Sequence, residues 1–222
     1  MRHPLLFILF LLVFFGKSQT FNFNYYSVDK GLSQSEVQCL KEDSRGYIWA
    51  GTKGGGVCRF DGEEFISYEE RDGLAGQQVT CIEEDAMGNM WFGTPWSGVS
   101  RFDGKNISNF DQKSGLLSNS ITCMMNVQGE QMLIGTNSGL ILIEGKTIQN
   151  IRNTAVDSIL INFMVRDADG SILIVTDRSV VRYVNGKFEK VFELKEMGTI
   201  LPSCIGRDKK NKFWMGTFGK GI

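Results

Sequence analysis

The chain has 222 residues, 42% of them hydrophobic and 22% charged, with a formal net charge of −1. That balance belongs to a folded chain and excludes an intrinsically disordered one. It also leaves no basic surplus with which to hold nucleic acid.

The chain opens as an export signal. Arg2 and His3 give a basic start, Leu5 to Phe15 is an apolar run, and Gly16-Lys17-Ser18 offers small residues for cleavage near Ser18–Gln19. The apolar run is too short to span a bilayer, so residues 1–18 read as a signal peptide. The single histidine is His3, within that segment. The exported part therefore lacks the commonest general base, any Ser/His or Cys/His pairing, and any histidine-containing zinc site. No catalytic residue, metal or cofactor is expected.

Residues 19–30 come next. Phe23-Asn24-Tyr25-Tyr26 precedes Gly31-Leu32 as Phe65-Ile66-Ser67-Tyr68 precedes Gly73-Leu74. The segment therefore reads as an outer strand that closes a ring. From Gly31 the chain is a tandem series with a period near 42 residues, which fixes the architecture before anything else does.

The first unit, 31–72, reads as four short strands: Val37 to Glu42, Tyr47 to Thr52, Gly56 to Phe60 and Glu64 to Tyr68. Asp43-Ser44-Arg45-Gly46 has the residues of a type I turn, and Asp61-Gly62 is a hairpin signal. The second unit, 73–114, repeats every landmark: Asp85, Gly88, Trp91, Gly93-Thr94 and Phe102-Asp103-Gly104. The third, 115–153, keeps Gly135-Thr136 but has Leu133 in place of the tryptophan. The fourth, 154–196, keeps Asp167, Gly170 and Thr176. A partial fifth, 197–222, has Asp208, Trp214 and Gly216. Short strands, glycine turns and no helical period predict an all-β fold, a β-propeller of four-stranded antiparallel blades. The expected form is an incomplete arc of about four and a half blades, the first part of a longer protein. The competing expectation is a five-bladed ring closed by Phe23 to Tyr26.

Cys39, Cys81, Cys123 and Cys204 each lie ten residues before the Trp49, Trp91, Leu133 and Trp214 position. Such residues are small buried hydrophobes in one strand of successive blades, too far apart for disulfides. Cys58 stands outside that register. Asp43, Asp85, Asp167 and Asp208 read as turn formers, and Trp49, Trp91 and Trp214 as blade-to-blade core. Gly46, Gly51, Gly88 and Gly93 complete the structural repeat. The pairs Glu63-Glu64, Glu69-Glu70 and Glu83-Glu84 point to opposite faces of their strands and do not form a carboxylate dyad.

Binding residues are sought where the turn after Gly-Thr varies: Lys53-Gly54-Gly55, Pro95-Trp96-Ser97, Asn137-Ser138, Asp177-Arg178-Ser179 and Phe218-Gly219-Lys220. These turns share one face of the ring. Trp96 has no counterpart, which makes it the candidate for stacking on a ligand, with Lys53 and Arg178 supplying charge.

The unit Gly-Leu, then Asp-x-x-Gly-x-x-Trp-x-Gly-Thr, then Gly-Val-x-Arg-Phe-Asp-Gly, resembles the two-component regulator propeller repeat. It includes Arg59-Phe60-Asp61-Gly62 and Arg101-Phe102-Asp103-Gly104; the third and fourth units lack the tryptophan and the Arg-Phe pair. The resemblance implies the periplasmic ligand-sensing part of a two-component sensor, with a histidine kinase and a membrane span expected downstream. It implies an extracellular ligand, an oligosaccharide among the candidates, and is compatible with a homodimer of the full-length sensor. The alternative is a secreted propeller that serves as a binding or adhesion module or as part of an extracellular enzyme.

Overall fold

A computed structural model describes residues 23–194, 202–208, 210 and 212–218. The expected signal peptide, residues 19–22 and residues 219–222 of the partial fifth unit lie outside the described residues. Blade 1 comprises β1 (Val37–Glu42), β2 (Ile48–Thr52), β3 (Val57–Phe60) and β4 (Phe65–Tyr68). Blade 2 comprises β5 (Cys81–Glu84), β6 (Met90–Gly93), β7 (Val99–Phe102) and β8 (Ile107–Phe110). Blade 3 holds β9 (Ile121–Asn126), β10 (Gln131–Thr136), β11 (Gly139–Glu144) and β12 (Thr147–Asn150), and blade 4 holds β13 (Ile161–Arg166), β14 (Ile172–Thr176), β15 (Ser179–Val184) and β16 (Lys187–Glu193). A fifth sheet is described as the hairpin β17 (Pro202–Arg207) and β18 (Phe213–Thr217).

Each full sheet is an antiparallel meander in chain order. Consecutive sheets meet through their first strands: β1 on β5, β5 on β9, β9 on β13 and β13 on β17. The fold is thus the expected arc of propeller blades, with the first strand of each blade innermost. Among the described residues no helix is long and apolar enough to cross a membrane.

Blades cohere because neither face of a four-stranded sheet can be left in water. Trp49 is fully buried and stacks on Tyr68 of its own blade, ring centroids 5.7 Å apart, while Phe92 and Phe102 of blade 2 lie 5.5 and 5.9 Å away. Trp91 repeats this one blade on, stacked on Phe110 at 5.6 Å and packed into a core with Ile121, Met124 and Ile134 of blade 3. Burial of one such ring stabilises by about 4–6 kcal/mol at roughly 25 cal/mol/Å². Trp214 is 57% exposed, and the blade that would cover it is not among the described residues. Cys204 is exposed for the same reason.

The glycine of Gly-Thr is demanded by packing rather than by backbone angle. A Cβ built on Gly135 would stand 2.6 Å from Cys123 Sγ within its blade and 2.7 Å from Ile161 Cγ2 of the next. Gly51 is held in the same way between Cys39 and Val79. The inner cysteines fill the remaining space. All five are free thiols, and burial pushes Cys39 up to about 11 and Cys123 up to about 12.

The register of β1 on β2, Val37 opposite Thr52 and Glu42 opposite Ile48, sorts the loops onto two faces. One face carries the Gly-Thr turns and the linkers between blades. The other carries the Asp-x-x-Gly turns. Linkers latch back onto the preceding blade: the Gly56 N–H donates to Gln77 O at 2.8 Å and the Gly98 N–H to Asn119 O at 3.0 Å. On the opposite face, Ser44 donates through its N–H and hydroxyl to the Glu84 carboxylate at 2.8 and 2.7 Å, and Lys41 pairs with Glu83 at 2.8 Å.

Two expectations are corrected. Phe23 to Tyr26 forms no strand among the described residues; it is an irregular segment whose Tyr26 ring packs edge-on against Phe60, 4.9 Å away. Nor is Cys58 outside the repeat. Its thiol donates to Ser33 Oγ at 2.9 Å and accepts from the Ser33 N–H at 3.1 Å. Ser100 holds that place in blade 2, where its hydroxyl accepts from the Ala75 N–H at 2.9 Å and donates to Asn109 at 2.8 Å.

Candidate functional site

The aspartates do more than make turns. Asp43 Oδ1 accepts the Arg45 and Tyr47 N–H groups at 3.0 and 2.9 Å, as a turn former would. Its other oxygen accepts the Trp49 indole N–H at 2.9 Å. Asp85 does the same with Met87, Asn89 and Trp91, and Asp208 with Lys210, Lys212 and Trp214. For Asp43, burial pushes its carboxyl up, but the indole, the two backbone N–H groups and the Arg45 charge together bring it below the usual range. The carboxylate thus holds its own tryptophan as well as its turn. A six-residue spacing from aspartate to tryptophan was the signal in the sequence; turn chemistry alone did not expose it.

Where the repeat drops the tryptophan, the carboxylate changes partner or goes. In blade 3, Val127 and Leu133 stand where blades 1 and 2 have Asp and Trp, and the Asn126 amide donates to Gly129 O and Gln131 O to hold the turn. In blade 4, Leu173 replaces the ring, and Asp167 Oδ2 lies 2.7 Å from Arg207 Nη2 of the next blade, opposite charges in contact at an angle poor for a hydrogen bond.

The Gly-Thr face holds the sequence-predicted site. Each turn is built on its threonine hydroxyl: Thr94 Oγ1 donates to Gly98 O at 2.8 Å and accepts the Ser97 N–H at 2.9 Å. That clamp consumes the turn's polar groups and leaves Trp96 projecting outward, 73% exposed. Below it lies a depression of about 260 Å³ between blades 1 and 2, with Lys53, Glu70, Gln77 and Gln78 in its wall. Lys53 Nζ is 3.1 Å from Glu36 Oε1, and Gln78 donates to Gln38 at 3.1 Å. An indole beside a cation, a carboxylate and two amides can stack on one face of a polar ring and hydrogen-bond its edges. Trp96 and Lys53 are brought together as their shared face requires. Arg178 is not with them. It belongs to the blade 4 turn, with Nε 3.9 Å from Asp177 Oδ2 and its carbonyl taken by the Leu194 N–H at 2.7 Å. Glu70 and Gln77, now in the wall, were missed, because they lie in linkers that the repeat does not mark.

Residues 31–54 and 73–96 match the two component regulator propeller family, each match running from the linker glycine of a unit through its Gly-Thr turn. The chain carries two component regulator propeller repeats. Solved propellers share its fold. The extracellular domain of the putative hybrid two component system BT4673 from B. thetaiotaomicron is 17% identical, with a TM-score of 0.52 over 87% of this chain and 31% of that one. PorZ, a bacterial surface component of the type-IX secretion system of Porphyromonas gingivalis, is 16% identical, with a TM-score of 0.58 over 84% and 31%. Virginiamycin B lyase from Staphylococcus aureus is 12% identical, with a TM-score of 0.63 over 79% and 61%. At such identities the likeness is one of fold. The chain spans about a third of the length of the first two proteins. No curated protein matches the sequence.

Proposed function

We propose that these repeats form part of the extracytoplasmic, periplasmic ligand-sensing propeller of a two-component sensor, and that the Trp96 depression receives the ligand. The observation that carries this is an indole left in water beside Lys53 in the wall of a depression; among the described residues the only other aromatic exposed on such a turn is Phe218 of the fifth blade. The ligand class that suits it is an oligosaccharide: the indole covers a sugar face, while Lys53, Gln77 and Gln78 supply hydrogen bonds to hydroxyls. A histidine kinase downstream supplies the output in this reading, and a homodimer of the full-length sensor is compatible with it. The test is a dose response of the sensor's output to a panel of oligosaccharides, with Trp96→Ala and Lys53→Ala compared with the wild type. Loss of sensitivity in Trp96→Ala is expected; an unchanged response removes the depression from consideration.

The second reading is a secreted or surface scaffold, favoured by the likeness in fold to PorZ, a surface component. Coding sequence that continues past Ile222 into further repeats, an apolar span and a kinase module supports the sensor. A stop soon after the propeller supports the scaffold.

A further inference from the structure

The Asp-turn face carries a second feature, on the side of the molecule opposite Trp96, and it arises where the repeat fails. In blade 1 the Arg59 guanidinium lies 4.5 Å over the Tyr47 ring, and in blade 2 Arg101 lies 5.6 Å over Trp91. Arg182 holds the same place in blade 4. There the two ring positions are Ser171 and Leu173, so the guanidinium has nothing to lie on. It turns instead to the turn of its own blade, where Nε donates to Ser171 Oγ at 3.1 Å and Nη2 pairs with Asp169. Its Nη1 is left with only Glu189, 4.0 Å away.

Arg166, from the end of β13, is fixed beside it by Gly170 O and by Asn126 O of blade 3. The facing blade offers no competing anion, since Val127 stands at its aspartate position and Leu142 at its arginine position. The result is a cavity of about 310 Å³ between blades 3 and 4 with both guanidiniums, the Asp169 carboxylate that pairs with Arg182, and the amides of Gln128 and Asn185 in its wall. Two further depressions, about 360 and 460 Å³, adjoin it through shared lining and extend it into a groove, one of them reaching Lys187. Tyr183, the aromatic residue of the wall, is 6% exposed and offers no ring face. Recognition in this groove is therefore polar, with Arg166, Arg182 and Lys187 outnumbering the carboxylates Asp169 and Glu189, unlike that beside Trp96.

We propose that this groove binds a small organic carboxylate. Each arginine is pinned by groups other than the ligand, so little side-chain freedom is lost on binding, and a planar fork suits a carboxylate. Gln128 and Asn185 then take hydroxyls or a second carboxylate of the same molecule. The volume fits a ligand of sugar-acid or dicarboxylate size. The site is independent of the Trp96 depression, and its failure would leave that reading untouched.

The test is calorimetric titration of the full-length protein with sodium D-galacturonate, sodium succinate, D-galactose and sodium sulfate. Binding of galacturonate, succinate or both, none of galactose, and weaker binding of sulfate are expected. Arg182→Gln and Arg166→Gln are each expected to weaken the carboxylate at least tenfold, with Trp96→Ala without effect. Arg166 is exposed, so its replacement tests the site even should Arg182→Gln fail to fold. Absence of carboxylate binding at 20 mM, binding indifferent to both arginine changes, sulfate binding as tight as carboxylate, or loss in Trp96→Ala would each overturn the assignment.

Discussion

Gly135→Ala isolates the claim that blade spacing is set at the Gly-Thr glycine. The new Cβ would meet Cys123 Sγ at 2.6 Å on one side and Ile161 Cγ2 at 2.7 Å on the other, with Ile161 Cβ at 3.0 Å. Both neighbours are buried, Ile161 fully, and belong to different blades, so neither can retreat without shifting a sheet. Overpacking of this kind costs about 1–3 kcal/mol, and contact on two sides places Gly135→Ala near the top of that range. For a chain of this size that lowers Tm by roughly 6–12 °C. The assay is urea unfolding of the wild type, Gly135→Ala, Cys123→Ala and the double variant. Cys123→Ala removes one of the two clashing atoms, so the double variant should be more stable than additivity predicts by about 1 kcal/mol. Gly170→Ala is the control. Its φ is +84° with nothing within 4 Å of the added carbon, so it carries only the left-handed backbone cost of about 1–2 kcal/mol and no coupling to Cys123. A Gly135→Ala protein within about 0.5 kcal/mol of wild type, or strict additivity with Cys123→Ala, refutes the reasoning.

Trp91→Phe keeps most of the ring contact but takes the indole N–H from the buried Asp85 carboxylate, whose Oδ2 keeps the Asn89 amide at 2.8 Å, so the loss of one hydrogen bond to a charged group, about 1.5–3 kcal/mol, is expected in the same unfolding assay. Asp85→Val with Trp91→Leu copies the pair found in blade 3, and should cost less than the sum of its two single changes. Acid should weaken the fold in a defined window. Asp169, held by the Ser171 hydroxyl and N–H and then by Arg182, titrates at about 2, below the roughly 3.9 of an unfolded aspartate. Its folded form is the more acidic, so its contribution is complete above about pH 4 and is lost as pH falls toward 2. Asp169→Asn should flatten that limb of the urea midpoint plotted against pH. An aromatic disulfide reagent at pH 8 should spare Cys39 and Cys123, whose thiols burial pushes up to about 11 and 12; quick labelling of either without denaturant would contradict the burial.

Periodicity made the architecture legible. The strand starts at Val37 and Ile121, two periods apart, the turns between strands and the sheet order follow from a 42-residue spacing and glycine punctuation. What the sequence hid was cooperation between positions. Aspartate was visible as a turn former, yet its second oxygen serves an indole six residues on. The Gly-Thr glycine was visible as a constant, yet its reason lies in atoms of two blades. Trp214 shows the converse. By sequence it is core like Trp49, and by structure it is exposed, because burial of that ring belongs to the neighbour and not to its own blade. Lys53 and Trp96 line one depression because turns at one repeat position in adjacent blades share a face. Arg178 was grouped with them on the same logic, and that logic says nothing about distance around the arc.

The two grooves obey one rule. A propeller repeat spends its aromatic and charged side chains on the seam between blades: tryptophan in the next blade's core, aspartate on the tryptophan, arginine over a ring. A side chain becomes available to a ligand only where a partner in that scheme is missing. Trp96 is available because it has no counterpart and hence no assigned pocket. Arg182 is available because Ser171 and Leu173 replaced the rings that Arg59 and Arg101 lie on. Restoring a ring therefore should close the second site: Ser171→Tyr is expected to draw Arg182 back over an aromatic face and to abolish carboxylate binding while leaving Trp96 and its dose response alone. Carboxylate binding that survives Ser171→Tyr unchanged, in a protein shown to be folded, would mean that the vacancy is not what frees the arginine.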